Sequence, residues 1–306
     1  MPHNDFLRPN LECDGTRTCV LYRARSAGLL VQCRLTGENP FAPFNRHPKS
    51  RHLPNTRLET LVFSCSDVAR YAEAQRKLGM QFMTRAPVET NTFRFIQTVP
   101  SPLTGNSIGV VEWRGMPGRY LHNGCSPCEL PVEKPERPYL ANIGALDHIA
   151  TRVRAEDRDP AILEFMALTN YNFEFAIHVP SLNSITNVSR LPGARFALVF
   201  TSGIRASDLD DAQGPTEQFV FNYGARAHHM AFLTEDIEAT DRALRDDGLA
   251  FLSELVGEEA DGIKQAFSAP SPHTLLVNEY IKRYGDFEGF FTQHNVAQLT
   301  LATSKQ

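Results

Sequence analysis

Apolar and polar positions follow the same plan in three long stretches of the chain. Each stretch opens with a short apolar run of strand type, continues with apolar residues at helical spacing, and closes with several further strand-like runs. The stretches are residues 56–114, 143–204 and 225–296. We therefore expect an α+β fold of tandem β-α-β-β-β repeats, in which curved, open, barrel-like sheets pack in pairs.

The first repeat has clear helix boundaries. Asp67 stands where a helix N-cap belongs, and Gly79 stands where a glycine commonly ends a helix. A strand is predicted before this helix at residues 58–63. Three more are predicted after it, at residues 81–84, 93–99 and 107–114.

The second and third repeats follow the same order. Asp159 and Pro160 have the residue types of an N-cap and a first helical residue, and the third helix is predicted to run from Asp236 to near Gly248. The predicted strands of the second repeat are 146–150, 171–179, 184–189 and 195–200. Those of the third are 228–232, 250–255, 274–282 and 287–293.

The remaining segments suggest two unequal halves. Residues 17–35 resemble two strands of an incomplete repeat, and the stretch after residue 115 is rich in proline, glycine and charge. We predict an N-terminal domain without a metal site at 1–115, a linker at 116–142 and a catalytic domain at 143–306. The last of these contains two complete repeats.

Composition narrows the functional classes. Lys and Arg total 31 against 35 Asp and Glu, and this net charge of −4 argues against a nucleic-acid-binding protein. No apolar run is long enough for a membrane span, and the polar start lacks the apolar core of a secretory signal. We therefore expect a cytoplasmic protein that contacts neither nucleic acid nor membrane.

Four of the six cysteines raise the question of a zinc site. Cys125 and Cys128 form one Cys-x-x-Cys motif, and Cys13 and Cys19 lie far upstream with looser spacing. Six cysteines in 306 residues do not form a disulfide framework. We expect reduced, mostly structural thiols, and zinc binding by these four residues stays the alternative.

Alignment of the repeats selects two of the ten histidines. The first strands of the three repeats place Thr60, His148 and His229 at one position, and the last strands place Glu112 and Glu288 at another. Two imidazoles and one carboxylate on one face form a facial triad, which is typical of non-haem Fe(II) sites with open coordination positions. We predict His148, His229 and Glu288 as the metal ligands.

The pattern leaves three alternatives within this site. His228 points to the other face of its strand if the strand is regular, and a shift of one residue would exchange it with His229. Glu279, on the preceding predicted strand, is the alternative carboxylate. A shift of one residue near Glu288 would bring Gly289 to the ligand position.

With these residues, the chain resembles the vicinal oxygen chelate superfamily, and within it the 4-hydroxyphenylpyruvate dioxygenase family. The Leu-Asp-His-Ile-Ala motif follows a proline-rich stretch, as in that family. The resemblance extends over residues 17–296. Further similar segments are residues 20–23, 180–187, 221–237 and 292–295.

The resemblance implies a chemistry. It implies Fe(II) as the cofactor, held by the triad above, and a 2-oxo acid that chelates the iron and loses CO₂ during oxidation by O₂. It also implies that Ser184 contacts the substrate. Gln213 is a further candidate substrate contact. Members of the superfamily commonly form homo-oligomers, and we expect one here.

Three departures from the family concern the substrate rather than the metal. The N-terminal domain is shortened, and Phe200 or Thr201 stands where the family orients its substrate with an asparagine. We also expect the C-terminal helix of the family to be missing, because the sequence given stops at Gln306. The metal chemistry should therefore carry over better than the specificity for hydroxyphenylpyruvate.

The leading functional hypothesis is an Fe(II)-dependent dioxygenase that acts on a 2-oxo acid or a related aromatic compound. The first alternative is extradiol cleavage of a catechol, which needs a further histidine, for which His178 and His273 are the candidates. A metal-dependent isomerase or lyase of the same superfamily and a non-enzymatic binding protein are the others.

Overall fold

The computed structural model describes residues 3–131, 133–206, 214–285, 287 and 289–306, with the backbone alone for residues 6–8. The chain divides into two compact units. The N-terminal unit comprises Met1–Pro40, Glu59–Ser101 and Asn106–Arg137, and the C-terminal unit comprises Phe41–Leu58, Pro102–Gly105 and Pro138–Gln306. These boundaries differ from the predicted ones, because most of the expected linker belongs to the N-terminal unit.

One sheet of the N-terminal unit contains two strands that were predicted and two that were not. Its strands are β1 (Asp5–Cys13), β2 (Thr16–Tyr22), β3 (Leu29–Arg34) and β8 (Cys125–Cys128), in the order β3-β2-β1-β8. β1 lies in the polar start, and β8 lies in the expected linker. Cys13 pairs with Cys125 across β1 and β8, and the two form a disulfide with Cα atoms 4.4 Å apart. The expectation of reduced thiols is therefore wrong for this pair.

The other sheet of the N-terminal unit contains the first predicted repeat. Its elements are β4 (Thr60–Ser64), α1 (Val68–Lys77), β5 (Val88–Glu89), β6 (Phe93–Gln97) and β7 (Ser107–Trp113), with sheet order β4-β7-β6-β5. As predicted, the Asp67 side chain caps α1 by accepting from the Arg70 amide at 2.9 Å. Gly79 follows the helix with φ +87°, a conformation that favours glycine.

The C-terminal unit contains the other two repeats in one seven-stranded sheet of order β10-β11-β12-β9-β13-β15-β14. β9 and β13, the first strands of the two repeats, are antiparallel neighbours at its centre. Each first strand also runs parallel to the last strand of its own repeat, β12 or β15. The strands are β9 (Ile143–Arg152), β10 (Asn172–Val179), β11 (Ser184–Arg190), β12 (Ala197–Ser202), β13 (Arg226–Thr234), β14 (Ile263–Phe267) and β15 (Val277–Arg283).

The described residues of this unit form four α-helices: α2 (Arg158–Leu168), α3 (Pro215–Tyr223), α4 (Ile237–Asp246) and α5 (Gln293–Ala302). As predicted, Asp236 caps α4, and its carboxylate accepts from the Ala239 amide at 3.0 Å. α2 begins before the predicted Asp159, and α3 was not predicted. α5, which begins at Gln293, was not predicted either.

The third repeat differs from the prediction in its strand count. Residues 250–255 were predicted as a strand but contain only an isolated bridge, from Phe251 to Ser268, and Val256 beside them forms another with Gln265. β14 was not predicted. β15 is therefore the last strand of the repeat rather than the one before last. Among the described residues of 287–293 there is no strand, and α5 begins at Gln293.

The α+β class is confirmed by this arrangement, and two of the predicted repeats share one sheet. In the part of the chain that the structure describes, none of the helices combines the length and the apolar character needed to cross a bilayer.

Candidate metal centre

His148, His229 and Glu279 converge in the C-terminal unit. The Nε2 atoms of the two imidazoles are 3.3 Å apart, and Glu279 Oε2 lies 3.1 Å from His148 Nε2 and 3.2 Å from His229 Nε2. His148 and Glu279 are 0% and 1% exposed. One donor atom from each of three strands thus meets the others at a single buried point.

The sheet register explains this convergence. β9 and β13 are adjacent at the centre of the sheet, so their histidines approach each other from neighbouring strands. On β15, Glu279 pairs with Ala231, two residues beyond His229, and alternation places Glu279 and His229 on the same face. Val277 and Ile281, the alternating neighbours of Glu279, are both fully buried.

A buried ion pair orients the ring of His148. Asp147 Oδ1 lies 2.8 Å from His148 Nδ1, and both carboxylate oxygens of Asp147 accept from Arg283, at 2.7 and 3.0 Å. Arg283 also donates to the carbonyl of Phe290 at 2.7 Å. A hydrogen-bonded Nδ1 leaves Nε2 as the atom that faces the cluster, and carboxylates that contact histidine ligands commonly orient them in this way.

His229 is oriented by its sequence neighbour. β13 has a bulge between Ala227 and His229, and the Nδ1 atoms of His228 and His229 lie 2.7 Å apart. The side-chain amide of Gln306 lies 3.0 Å from the other ring nitrogen of His228. The expectation that His228 points away from His229 is therefore wrong, because the bulge interrupts the regular alternation of the strand.

The charges in the cluster shift the pKa values of its members. Burial alone would raise the pKa of Glu279, but both imidazoles outweigh it and lower that pKa to about 2. Burial lowers the pKa of His229 to about 4 against the opposing effect of Glu279. Burial acts in the same way on His148, but Glu279 and Asp147 outweigh it and raise its pKa to about 9. Without metal, the cluster therefore holds an ionised carboxylate and a proton on His148.

The donor set fits a divalent first-row metal ion. Two imidazole nitrogens and one carboxylate oxygen are the ligands of the facial triad. Glu279 Oε1 is buried and has no hydrogen-bond partner among the described residues, which is costly unless a cation or ligand satisfies it. The His148, His229 and Glu279 atoms also lie close enough together for one ion to reach all three.

The structure brings two of the three predicted ligands together and supplies Glu279 beside them. Glu288 lies outside the described residues. Glu112, its predicted counterpart, instead accepts from the Val68 amide at 3.1 Å and lies 3.4 Å from Arg94. In the N-terminal repeat, Gly109 on β7 pairs with Val62, which lies two residues beyond Thr60 on β4. Gly109 is therefore the counterpart of Glu279, which pairs two residues beyond His229.

That N-terminal position is filled by other side chains. A Cβ on Gly109 would approach the Phe95 ring to 2.9 Å, and Thr60 donates to Gln97 at 3.0 Å. Sequence reasoning missed Glu279 as the first choice because of the strand count. Glu279 can be identified in the sequence by its alternation with Val277 and Ile281, since these two apolar residues share its side of the strand.

Of the two predicted substrate residues, Ser184 is described and Gln213 lies outside the described residues. Ser184 is fully buried on β11, and its hydroxyl has no hydrogen-bond partner in the described structure. It shares a face with Val188, which packs against Phe290, and the Phe290 ring lies 5.6 Å from His148. Ser184 therefore faces the same side of the sheet as the cluster.

Three residues near the cluster were not predicted. The Phe291 ring lies 5.1 Å from that of His148, and Phe290 packs against it at 4.7 Å. Gln265 is fully buried on β14, with neither amide atom hydrogen-bonded among the described residues. Alternation places it on the face of Phe267, whose ring lies 4.7 Å from His229.

The other histidine candidates do not face this cluster. His178 and His273 are both exposed. In the N-terminal unit, His122 forms a separate group with Cys13 and Cys125, but these two cysteines are joined by the disulfide. Neither Cys19 nor Cys128 takes part in this disulfide.

Comparison with known proteins supports the fold. No family model matches the sequence, and no curated protein does either. A solved structure of a triple mutant of 4-hydroxymandelate synthase from Streptomyces coelicolor has a TM-score of 0.71, at 20% identity over 98% of this chain and 91% of that one. A xylose isomerase-like TIM barrel/4-hydroxyphenylpyruvate dioxygenase fusion protein gives 0.65, at 14% identity over 99% of this chain and 49% of that one.

Proposed function

We propose that this protein is an Fe(II)-dependent dioxygenase that acts on a 2-oxo acid. The observation that carries the proposal is the buried group of His148, His229 and Glu279. Its ligand types and number match the facial triad that leaves open positions for substrate and O₂. The two solved structures above support it further, since one is named as a 4-hydroxymandelate synthase and the other contains a 4-hydroxyphenylpyruvate dioxygenase.

Bound Fe(II) would supply the open positions at which a 2-oxo acid chelates and O₂ reacts. The protein residues have a different task, which is to hold the ligands and to shape the cavity. Asp147 fixes the ring of His148, and His228 fixes that of His229. In this proposal Glu279 is the carboxylate ligand, and Glu288 is the alternative that the experiment must test.

Polar and aromatic side chains around the cluster suit a substrate with both characters. Ser184 and Gln265 carry buried hydrogen-bonding atoms without partners among the described residues, and these are available to orient a substrate. Phe290 and Phe291 cover His148 and exclude water from its side of the cluster. Of the two residues expected at the position of the family's asparagine, Thr201 lies on the cluster face of β12, and Phe200 packs on Phe165.

The extradiol alternative gains no support from the histidines proposed for it. That chemistry needs an acid or base in the cavity, and both His178 and His273 are exposed. His228 is buried, but its nitrogens already face His229 and Gln306.

The formation of a homo-oligomer and the cytoplasmic location stay predictions.

The test combines metal analysis with oxygen uptake. Anaerobically purified protein should bind one Fe(II) per chain and, with a panel of 2-oxo acids, consume O₂ and release CO₂ in equal amounts. Formation of a yellow ring-cleavage product from catechols, without CO₂ release, would support the extradiol alternative instead. Tight binding of 2-oxo acids by protein that takes up no metal would overturn the enzymatic proposal in favour of a binding protein.

A further inference from the structure

Arg152 is a buried cation on the face of the sheet that carries the metal ligands. It lies four residues beyond His148 on β9. Because the pairing of β9 with β12 is regular over this stretch, the two side chains lie on the same face of the sheet. Arg152 is 4% exposed, and its guanidinium carbon lies 4.7 Å from the centre of the Phe219 ring. The Phe219 ring in turn lies 5.0 Å from that of His228. Arg152, Phe219 and His228 thus form a continuous array that ends at the metal ligand His229.

No acidic group among the described residues balances this charge. Arg152 makes no ion pair there, and its Nη1 is buried without a hydrogen-bond partner. Burial lowers its pKa to about 9, with no opposing carboxylate, and its charge also lowers the pKa values of His228 and His229. Glu217, in the same helix as Phe219, instead accepts from the Gly203 amide at 2.8 Å.

A second buried arginine lies directly across from the first. Arg226 on β13 is the register partner of Arg152 on β9 and is 2% exposed. Its guanidinium donates to the carbonyls of Thr56 and Tyr223, at 3.2 and 3.4 Å, and pairs with no carboxylate in the described structure. Two buried cations on adjacent strands repel each other and cost free energy to desolvate. Such an arrangement is stable when an anion from outside completes it.

We propose that Arg152 binds a second anionic group of the substrate, at the end remote from the metal-chelating 2-oxo acid. The proposal rests on the function proposed above and names the substrate class as a 2-oxo acid with a further carboxylate or comparable anion. Planar guanidinium groups suit such anions because they donate two parallel hydrogen bonds.

The spacing along β9 supports a remote position for this group. Four residues of strand separate the Cα atoms of His148 and Arg152 by about 13 Å. A substrate whose two acidic groups are adjacent cannot reach the metal and Arg152 together. A substrate with one acid at each end of a short chain or of one aromatic ring can do so.

Two pairs of probe ligands isolate the second anion. The first pair is 2-oxoadipate and 2-oxohexanoate, and the second is 4-carboxyphenylpyruvate and 4-methylphenylpyruvate. In each pair a carboxylate replaces a methyl group at the same position. Calorimetry on the Fe(II)-loaded protein without O₂ should show the acidic member of at least one pair binding about 10- to 100-fold more tightly. In Arg152→Met this preference should fall to about one, and Arg152→Lys should keep part of it. An unchanged preference in Arg152→Met would overturn the proposal.

Stability separates a binding role from a structural one. Since Arg152→Met removes an uncompensated buried charge while keeping the side-chain volume, the unligated variant should melt at the same temperature as the parent or higher. If Arg152 had a purely structural role, Arg152→Met would melt at a lower temperature than the parent and would keep the same preference between the two ligands of a pair. Arg154→Gln is the matched control, because Arg154 is exposed and pairs with Glu156. It should change neither the preference nor the melting temperature.

The outcomes also separate this inference from the proposed function. Protein that binds Fe(II) and consumes O₂ with 2-oxo acids, but shows no preference that depends on Arg152, would overturn the inference alone. Protein that takes up no Fe(II), yet still prefers the acidic member of a pair through Arg152, would overturn the proposed function alone.

Discussion

At the scale of single residues, the centre of the C-terminal unit concentrates charge in a buried place. Glu279 lies between two imidazoles, and Asp147 lies between His148 and Arg283. Each of these carboxylates has cationic or polar neighbours that keep its pKa low despite burial. The cluster is thus poised to exchange a proton for a metal ion.

Removing the carboxylate ligand should abolish metal binding. We expect Glu279→Gln to weaken Fe(II) affinity by more than about 100-fold. Loss of a residue that binds the metal directly should weaken affinity more than loss of a residue that only orients a ligand, which typically costs about 10- to 100-fold. Metal content after anaerobic loading measures this. Glu112→Gln is the matched control on the last strand of the first repeat, and it should keep one iron per chain. Glu288→Gln should also keep its iron, and iron loss there with retention in Glu279→Gln would assign the ligand to Glu288.

Metal affinity should depend on pH through His148. Its pKa is raised to about 9, so at neutral pH the metal-free cluster carries a proton that the metal must displace. The affinity should therefore rise with pH, by up to about tenfold per pH unit, and level off as the pH passes the pKa of the metal-free protein. Titrations in buffers of different ionisation enthalpy count the released protons. An affinity that is flat or falls with rising pH over this range would contradict the assignment.

At the scale of elements, α1 and α4 are the best predicted parts of the fold, whereas the predicted cap Asp159 lies inside α2. Asp67 and Asp236 begin α1 and α4, and Gly79 and Gly248 follow these helices with φ values of +87° and +88°. Strands were less certain, since strand formation depends on neighbours that are distant in sequence. Residues 250–255 have a suitable apolar pattern but make only isolated bridges.

Loss of one cap should destabilise one helix. Asp236→Ala removes the acceptor for the Ala239 amide, and we expect a loss of about 1 kcal/mol. Amide hydrogen exchange within α4 should become about fivefold faster if these amides exchange through opening of the helix. Asp67→Ala is the matched control, with the same effect on α1 and none on α4. Equal exchange of α4 in the parent and in Asp236→Ala would show that the cap contributes nothing.

At the scale of the whole molecule, the chain forms two compact units of different construction. The C-terminal unit joins two repeats in one sheet and contains the metal cluster. The N-terminal unit combines one repeat with a sheet closed by the Cys13–Cys125 disulfide, whose cysteines are 112 residues apart in sequence. Such a long loop is costly to close without the crosslink.

Reduction of the disulfide should destabilise the N-terminal unit. We expect a loss of about 2–4 kcal/mol in Cys125→Ser or in the presence of reductant. Trp113, the single tryptophan of the chain, lies in this unit, so its fluorescence during urea unfolding reports the change. Cys128→Ser, which removes a free thiol from the same strand, is the control and should leave the unfolding midpoint unchanged. An unfolding midpoint of the parent that does not change with reductant would contradict the stabilising role of the disulfide. The iron content should be the same in Cys125→Ser and Cys128→Ser.

The sequence by itself determined the repeats, the capped helices and the two histidines. These depend on local spacing, and a repeated pattern places equivalent residues at equivalent points without knowledge of the pairing. Only the tertiary structure decided that Glu279 accompanies those histidines, that a bulge turns His228 towards His229, and that Cys13 bonds to Cys125. Each of these depends on which strands become neighbours and in which register, and a shift of one strand or one residue changes every contact that follows. The same holds for Arg152, whose isolation from carboxylates in the described structure becomes visible once the strands are assembled.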